Sequence, residues 1–482
     1  MNYYEKPEIY NMNDSTIAAV ATPIGAGGIG IIKISGQNAL PIASHIFQRS
    51  YSSISNPEDK DSADISSLKS HHLYHGYIVD PENRRVVDEV LLAVMLAPHS
   101  YTREDVVEIQ AHSSPVVLRS ILDLVLKYGA TIAGPGEFTK RAYINGRIDL
   151  TQAEAVIDII NARTNKSLEI ATTLIKGEMQ LCIERISDYL FNFLAEINAA
   201  IDFPEDVEEI INVDRTTDVF QNNIINTIKE LIGQYDNGHI LRDGIKLVIV
   251  GKPNVGKSSI MNCLIKKERS IVTAVPGTTR DLIEESFSLS GMPVIIADTA
   301  GLHDTDDPVE VIGINKAKDY IDCSDLILFI IDGGSILTHE DHEIFKMINT
   351  RNSILVINKS DLFSDRPKVN TPDSWKKMPG VEISALYNRG LDELKDLIVK
   401  ISLRENSFDP QAVIIPNLRH KLILDRCLVS LCSAVDGLNR GSPLELIAID
   451  VKEAVDLLGE ITGGSANNDV IDQIFNRFCI GK

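Results

Sequence analysis

Basic residues are in short supply: 47 Lys and Arg stand against 68 Asp and Glu in 482 residues, a formal net charge of −21. So acidic a surface excludes a broadly basic grip on nucleic acid, and any RNA contact must use a local patch or a partner. No apolar run reaches the roughly 18 residues that a membrane-crossing helix needs. Met1 to Asp14 is polar, with Glu5, Glu8 and Asp14, unlike a signal or transit peptide. The six cysteines, Cys182, Cys263, Cys323, Cys427, Cys432 and Cys479, form no CxxC pair and show no zinc spacing. That speaks against disulfides and a structural metal, and for a reducing compartment. The expectation is a soluble, cytoplasmic protein that makes no use of a membrane, long enough for about three domains.

What the chain does have is a phosphate loop. Gly251-Lys252-Pro253-Asn254-Val255-Gly256-Lys257-Ser258-Ser259 follows the β-rich run Ile245-Lys246-Leu247-Val248-Ile249-Val250 and precedes Ile260-Met261-Asn262-Cys263-Leu264-Ile265, where apolar residues have helical spacing. Gly251 and Gly256 let the backbone fold around a triphosphate with amides aimed at its oxygens and no Cβ in the way. Lys257 is placed to neutralise the β- and γ-phosphates, and Ser258 offers a hydroxyl to magnesium.

The other pieces of a guanine-nucleotide switch follow in order. Asp298-Thr299-Ala300-Gly301 comes after the apolar strand Pro293-Val294-Ile295-Ile296-Ala297, at the strand end where open α/β sheets bind ligands. Asp298 is expected to hold magnesium through water, and the Gly301 amide to sense the γ-phosphate. Leu326 to Asp332 and Ile354 to Ile357 read as two more buried parallel strands, the second ending in Asn358-Lys359-Ser360-Asp361. The Asp361 carboxylate can accept from both the ring N–H and the exocyclic amine of guanine, a donor pair that adenine lacks, so the nucleotide is GTP. Ser384-Ala385-Leu386, after the short strand Val381-Glu382-Ile383, supplies an amide to the guanine oxygen. Between loop and Asp298 lies Gly277-Thr278-Thr279-Arg280-Asp281, where the Thr279 hydroxyl is a second magnesium ligand. One piece is missing. After Gly301, where Ras-type switches carry a water-orienting glutamine, stand Leu302 and His303. His303 is one candidate for that task; a solvated loop residue beside Asp304, Asp306 and Asp307 is the other reading.

Around this switch the pattern changes twice. Ile17 to Ala21 and Ile29 to Ile34 read as strands of a hairpin about Gly25-Ala26-Gly27-Gly28, followed by strands Val87 to Met95 and Val106 to Gln110 and a helix from Pro115 to Tyr128, an α+β arrangement. From Leu150 helical spacing runs to Ala200, is interrupted by Ile201-Asp202-Phe203-Pro204-Glu205-Asp206, and resumes to about Gln234; it returns at Leu418 to Leu438 and Pro443 to Leu458. The expected class is therefore multidomain: an α+β body over residues 1–149, an all-α domain over 150–242 and 403–482, and an α/β Ras-like GTPase domain inserted at 243–402. The terminus Phe478-Cys479-Ile480-Gly481-Lys482 is no prenylation signal, since it lacks the aliphatic pair and ends in lysine.

Those features together carry a resemblance. The Phe-Cys-Ile-Gly-Lys end, the inserted GTPase with Gly-Thr-Thr-Arg-Asp, Pro135-Gly136-Glu137-Phe138-Thr139 and the run Asn145 to Ala155 resemble the MnmE (TrmE) family of tRNA uridine-modification GTPases from about Ser15 to Lys482. The resemblance implies a GTP hydrolase that works with the flavoprotein MnmG (GidA), which carries FAD, in a heterotetramer or larger complex. The product is a carboxymethylaminomethyl or aminomethyl group on carbon 5 of the wobble uridine of certain tRNAs, made with a tetrahydrofolate one-carbon unit. It also implies a homodimer with 5-formyl-tetrahydrofolate or a relative bound by Lys33, Glu108, Arg147 and Lys482, near Cys479. Lys33 and Arg147 exchange lysine and arginine relative to common members, which keeps charge and alters fork geometry. The Cys479 thiol is open to two readings, a chemical role beside the folate or an inert cysteine.

The same resemblance accounts for the absent glutamine. It counts Asn254 to Ser259, Thr273-Ala274-Val275-Pro276-Gly277-Thr278-Thr279 and Asp298 to Gly301 among the GTP-binding residues, and makes Asn254, Thr273, Val275 and Thr278 the shell of a potassium ion. Such an ion supplies positive charge where other GTPases use an arginine. It further implies that paired GTPase domains close on one another with Glu310 orienting water. Two other classes compete. A ribosome-assembly GTPase calls for a basic RNA-binding appendage, and a membrane-remodelling GTPase for an amphipathic basic helix or lipid anchor; the sequence offers neither.

Overall fold

The computed structural model describes residues 15–23, 25, 27–50, 68–203, 212–267, 284–298, 321–363, 369–402 and 414–482. They fall into two compact units, one from residues 1–157, 180–194 and 452–482, the other from 158–179 and 195–451.

The first unit is built on alternation. Its strands are β1 Ile17–Val20, β2 Ile29–Ser35, β3 Phe47–Gln48, β4 His72–Val79, β5 Val86–Met95, β6 Val106–His112 and β7 Thr131–Ile132, in the order β3-β4-β5-β6-β2-β1-β7. Neighbours are antiparallel except β1 and β7, and β1–β2 is the expected hairpin, with Ile17 opposite Ser35. Ile32 and Ile34 join Leu92, Val94, Val107 and Ile109 in the core that carries residues of the helices Ala39–Ile46 and Pro115–Lys127. Successive strand residues point to opposite faces, so Lys33 lies on the other side. There Ile17, Ala19, Ala133 and Phe138 form a small second apolar layer with Tyr101.

The chain's end belongs to this unit as well. Ile471, Ile474 and Phe475 of the helix Asn468–Phe475 pack with Phe478 on Leu150 and Ala153. Beyond them Ile480 bridges to Pro135, and the Phe138 amide donates to the Lys482 carbonyl at 3.2 Å. Gly481 has φ 95°, and a Cβ there would stand 2.6 Å from the Val20 carbonyl oxygen. A side chain at 481 would therefore push the tail off the sheet.

In the second unit the central strands Ile245–Val250, Leu326–Asp332 and Ser353–Asn358 are apolar on both faces. β8 Ile245–Val250, β9 Glu284–Leu289, β10 Met292–Asp298, β11 Leu326–Asp332, β12 Ser353–Asn358 and β13 Gly380–Glu382 lie in the order β13-β12-β11-β8-β10-β9, parallel except for β9 with β10. Leu247, Ile249, Leu328 and Ile330 enter one core, whereas Val248, Val250, Phe329 and Ile331 enter another that holds Trp375. Helices on both faces of a parallel sheet require this continuous apolar run.

The helical stretch from Leu150 is not one rod but three helices, Leu150–Asn161, Asn165–Ile175 and Glu178–Asp202. Thr164 and Ser167 form a reciprocal cap at the start of the second, and Gly177, at φ 85°, sets the entry to the third. The later stretch continues past Gln234 to Asp243, where Gly244 at φ 81° stops it. Periodicity marks helix but not its local breaks. The α+β, all-α and α/β parts expected from the sequence are all present. No helix among the described residues is long and apolar enough to cross a membrane.

Candidate functional site

The phosphate loop leaves β8 and opens the helix Lys257–Lys267. Asn254 has φ 64° and Gly256 φ 101°; asparagine is among the few residues with a side chain that enter this region readily. A Cβ on Gly256 would stand 2.3 Å from Asn358 Nδ2, so the loop rests directly on the segment expected to choose the base. Lys257 is buried, and its ammonium donates to the Gly251 and Lys252 carbonyls at 2.8 and 2.9 Å. Its charge thus lies over the loop. Ser258 and Ser259 are exposed in the first turn of the helix, where backbone amides and the helix dipole favour an anion.

Asn358 holds three segments in register. Its Nδ2 donates to the Val255 carbonyl at 2.8 Å, and its Oδ1 accepts from the Ala385 amide at 3.2 Å. Lys359 takes a left-handed φ of 63° and leads into the turn Ser360–Leu362, which carries Asp361. The Ser384 hydroxyl donates to Asp361 Oδ1 at 2.5 Å and fixes the carboxylate, while Leu386 is exposed beside it. Lys359 Nζ meets Asp332 Oδ2 at 2.8 Å. Burial alone would raise the Asp332 carboxyl; the Lys359 and Gly334 hydrogen bonds and the lysine charge outweigh it and hold it below its ordinary 3.8.

Asp298 ends β10 as expected, with its backbone alone described. Thr273, Ala274, Val275, Pro276, Gly277, Thr278, Thr279, Thr299, Ala300, Gly301, His303 and Glu310 lie outside the described residues.

A second group forms on the first unit. Lys33 and Glu108 are direct partners across β2 and β6, with Nζ 3.8 Å from Oε1. The ammonium lies 5.0 Å from the Tyr101 ring centre and 5.2 Å from that of Phe138. The Arg147 guanidinium stacks on Tyr101 at 4.6 Å and donates to the Tyr101 carbonyl at 3.1 Å. Burial, the largest cause, pulls Lys33 below its ordinary 10.5; Glu108 opposes this, and the charges of Lys482 and Arg147 lower it further. Four residues spread over the chain therefore act on one another in one place. Cys479 is exposed on the same tail as Lys482, its carbonyl accepting from the Gly136 amide at 3.4 Å.

Comparison with known proteins assigns the chain to a family. The model described as the MnmE helical domain matches residues 150–479, and that of the GTP-binding protein TrmE N-terminus matches 16–147. The tRNA modification GTPase MnmE of Carboxydothermus hydrogenoformans is 43% identical over 98% of this chain and 100% of its own length. The chain belongs to the MnmE family of tRNA modification GTPases. A second MnmE relative, from Thermoanaerobacter pseudethanolicus, is 45% identical over 97% of this chain and 99% of its own. Among solved structures, Era of Aquifex aeolicus matches at 28% identity over 39% of this chain and 66% of its own, with a TM-score of 0.26. As a member of the MnmE family the chain is a GTP hydrolase.

Several residues of this MnmE-family chain escape sequence reading. Arg141 is buried and holds Glu104 at 3.1 Å, Glu137 at 3.0 Å and the Ser15 carbonyl at 2.8 Å, which ties the Pro-Gly-Glu-Phe-Thr turn to the loop before β6. Lys252 of the phosphate loop reaches the fully buried Asp341 at 2.6 Å and Thr338 at 3.0 Å, at the capped start of the helix His339–Ile348. Spacing signals only the i,i+4 pair of Glu137 and Arg141; the Arg141–Glu104 and Lys252–Asp341 contacts join segments more than thirty residues apart.

Proposed function

We propose that this MnmE-family chain couples GTP hydrolysis to one-carbon transfer from a folate, for modification of carbon 5 of the wobble uridine in certain tRNAs. The observation that carries the folate half is the grouping of Lys33, Glu108, Arg147 and Lys482 around two aromatic rings. Three cations suit the glutamate carboxylates of 5-formyl-tetrahydrofolate, a carboxylate suits the amino edge of its pterin, and Tyr101 and Phe138 offer apolar faces.

In the GTPase half, Asp361, bonded by Ser384, accepts from guanine, Asn358 ties the phosphate loop to the Ala385 segment, and Lys257 meets the β- and γ-phosphates. Ser258 and Thr279 would hold magnesium, and Asn254, Thr273, Val275 and Thr278 would hold potassium; the chemistry these ions would supply is positive charge for the phosphates. The exposure of Asn254 in the phosphate loop, at a left-handed φ that asparagine tolerates, supports that role. Glu310 orients water when two GTPase domains close on one another. The chain acts in the cytoplasm as a homodimer with the FAD-bearing MnmG protein. The inserted organisation, 243–402 within 150–242 and 403–482 behind a folate-binding 1–149, lets nucleotide state move the helices that flank it.

Mass spectrometry of tRNA from a strain lacking this gene tests the function: the carboxymethylaminomethyl or aminomethyl group is absent from wobble uridine and returns with the intact gene. Unchanged tRNA would remove the proposal. Turnover equal in sodium and potassium buffers would remove the Asn254 role alone.

A further inference from the structure

Beside the Lys33 group the first unit has a cavity of about 550 Å³, lined among others by Tyr101, Arg147, Arg103, His71 and His99. Its size is that of a small-molecule site, about 300–1,000 Å³. None of its lining residues is acidic, in a chain of net charge −21, and two are arginines. Tyr101 and Arg147 belong to both places: Arg147 stacks on the Tyr101 ring, over which Lys33 also stands. The cavity therefore begins where the Lys33 group ends.

Arg103 is fixed at the cavity wall. Its Nη1 donates to the Asn145 carbonyl at 2.9 Å, and Asn145 Nδ2 returns a bond to the Thr102 carbonyl at 2.7 Å. A guanidinium has five N–H donors in a planar fork, so anchoring one leaves a directed surface for carboxylates. A rim of arginine and imidazole with no acid among it fits a ligand bearing several carboxylates in series.

Resting on the folate reading, we infer that this cavity is a subsite for the poly-γ-glutamyl tail of the folate. The tail chemistry matches the continuity of the two places. With the pterin edge at Glu108, the rest of the folate leads away from the Lys33–Glu108 pair past Arg147, and each added γ-glutamyl unit brings one carboxylate onward towards Arg103 and His99. Arg103 and the histidines select chain length, and Lys33 and Glu108 select the folate itself.

The test is equilibrium binding of 5-formyl-tetrahydrofolate, as monoglutamate and as triglutamate, to the full-length chain. The wild-type chain binds the triglutamate at least about tenfold tighter, the gain from one or two charge-assisted contacts. Arg103→Gln brings the two ligands within about threefold and leaves the monoglutamate affinity in place, which a merely structural role would not do; Arg103→Lys restores part of the preference. His99→Gln is the second variant, with a smaller loss. Equal affinities in the wild-type chain, with the monoglutamate bound, overturn the subsite and leave the folate reading standing. A preference intact in both variants also overturns it. No binding of the monoglutamate overturns the folate reading itself, and the subsite with it.

Discussion

The nucleotide site takes its atoms from short loops that each follow a parallel strand, whereas the Lys33 group draws on residues 33, 108, 147 and 482, which come together only when the first unit is folded. In the nucleotide site much of the work falls to backbone: amides of a helix start, carbonyls under Lys257 and left-handed residues that shape the loop. Backbone geometry constrains residue type at fixed spacing, so such a site writes itself into the sequence. In the other, side chains meet across a sheet and a C-terminal tail, and nothing fixes the distance between them along the chain. The two sites should therefore fail differently, the first through conformation and the second through charge.

The largest expected effect attacks conformation. Gly256→Ala places a Cβ 2.3 Å from an Asn358 nitrogen that is itself bonded on Val255, at a φ of 101°. The strain is of order 1–3 kcal/mol plus a steric clash, so GTP affinity falls at least about a hundredfold. Fluorescence titration with a labelled GTP reads it, and folate binding to the same variant is unchanged. An affinity within about threefold of wild type would break the claim that loop and base-selecting segment are packed without slack.

A smaller effect is a change of selectivity. Asp361→Ala costs GTP about tenfold to a hundredfold in affinity but costs inosine triphosphate, which lacks the exocyclic amine, less. The measured quantity is the ratio of the two dissociation constants, which shrinks towards one. A ratio unmoved by the substitution would mean that the carboxylate held by Ser384 does not read the amine.

How much was legible follows from the same contrast. Gly251 to Ser259, Asn358 to Asp361 and the strands before them could be read from spacing, because parallel strands buried on both faces are continuous apolar runs. Lys33, Glu108, Arg147 and Lys482 were reached through family resemblance alone. The rings of Tyr101 and Phe138 that receive Lys33, the Arg141 network and the Lys252–Asp341 pair left no signal, since each is a meeting of distant residues. Helix breaks at Thr164 and Gly177 leave no mark in the periodicity for another reason: the apolar stripe continues across them.

Two substitutions in the Lys33 pair then separate charge from conformation. Lys33→Met keeps length, removes a largely buried cation and lowers folate affinity about tenfold; it destabilises less than loss of Glu108, because the carboxylate it leaves unpaired is the more exposed partner. Glu108→Gln leaves the largely buried ammonium without its charged pair and destabilises by about 1–3 kcal/mol, between the ranges for exposed and fully buried pairs. Thermal unfolding with parallel folate titration checks both. A loss of stability in Lys33→Met equal to or larger than that in Glu108→Gln would contradict the assignment of Lys33 as a cation held at a cost.

The smallest effect is one of pH. Burial and the charges of Lys482 and Arg147 place the Lys33 pKa below 10.5, with Glu108 resisting. A bound carboxylate stabilises the protonated amine, so the complex holds that proton more tightly than the free chain does, and folate affinity must fall as pH rises through the lowered pKa. The fall begins at a pH lower than an ordinary lysine would set. Lys482→Met removes one of the charges that lower Lys33; affinity drops overall, because Lys482 is itself a contact, but the midpoint of the alkaline fall moves to higher pH. Affinity and midpoint thus move in opposite senses, which loss of a contact alone cannot produce. Binding measured from neutral pH upward in both proteins decides it, and a midpoint that stays in place would show that Lys482 does not act on Lys33 across the tail.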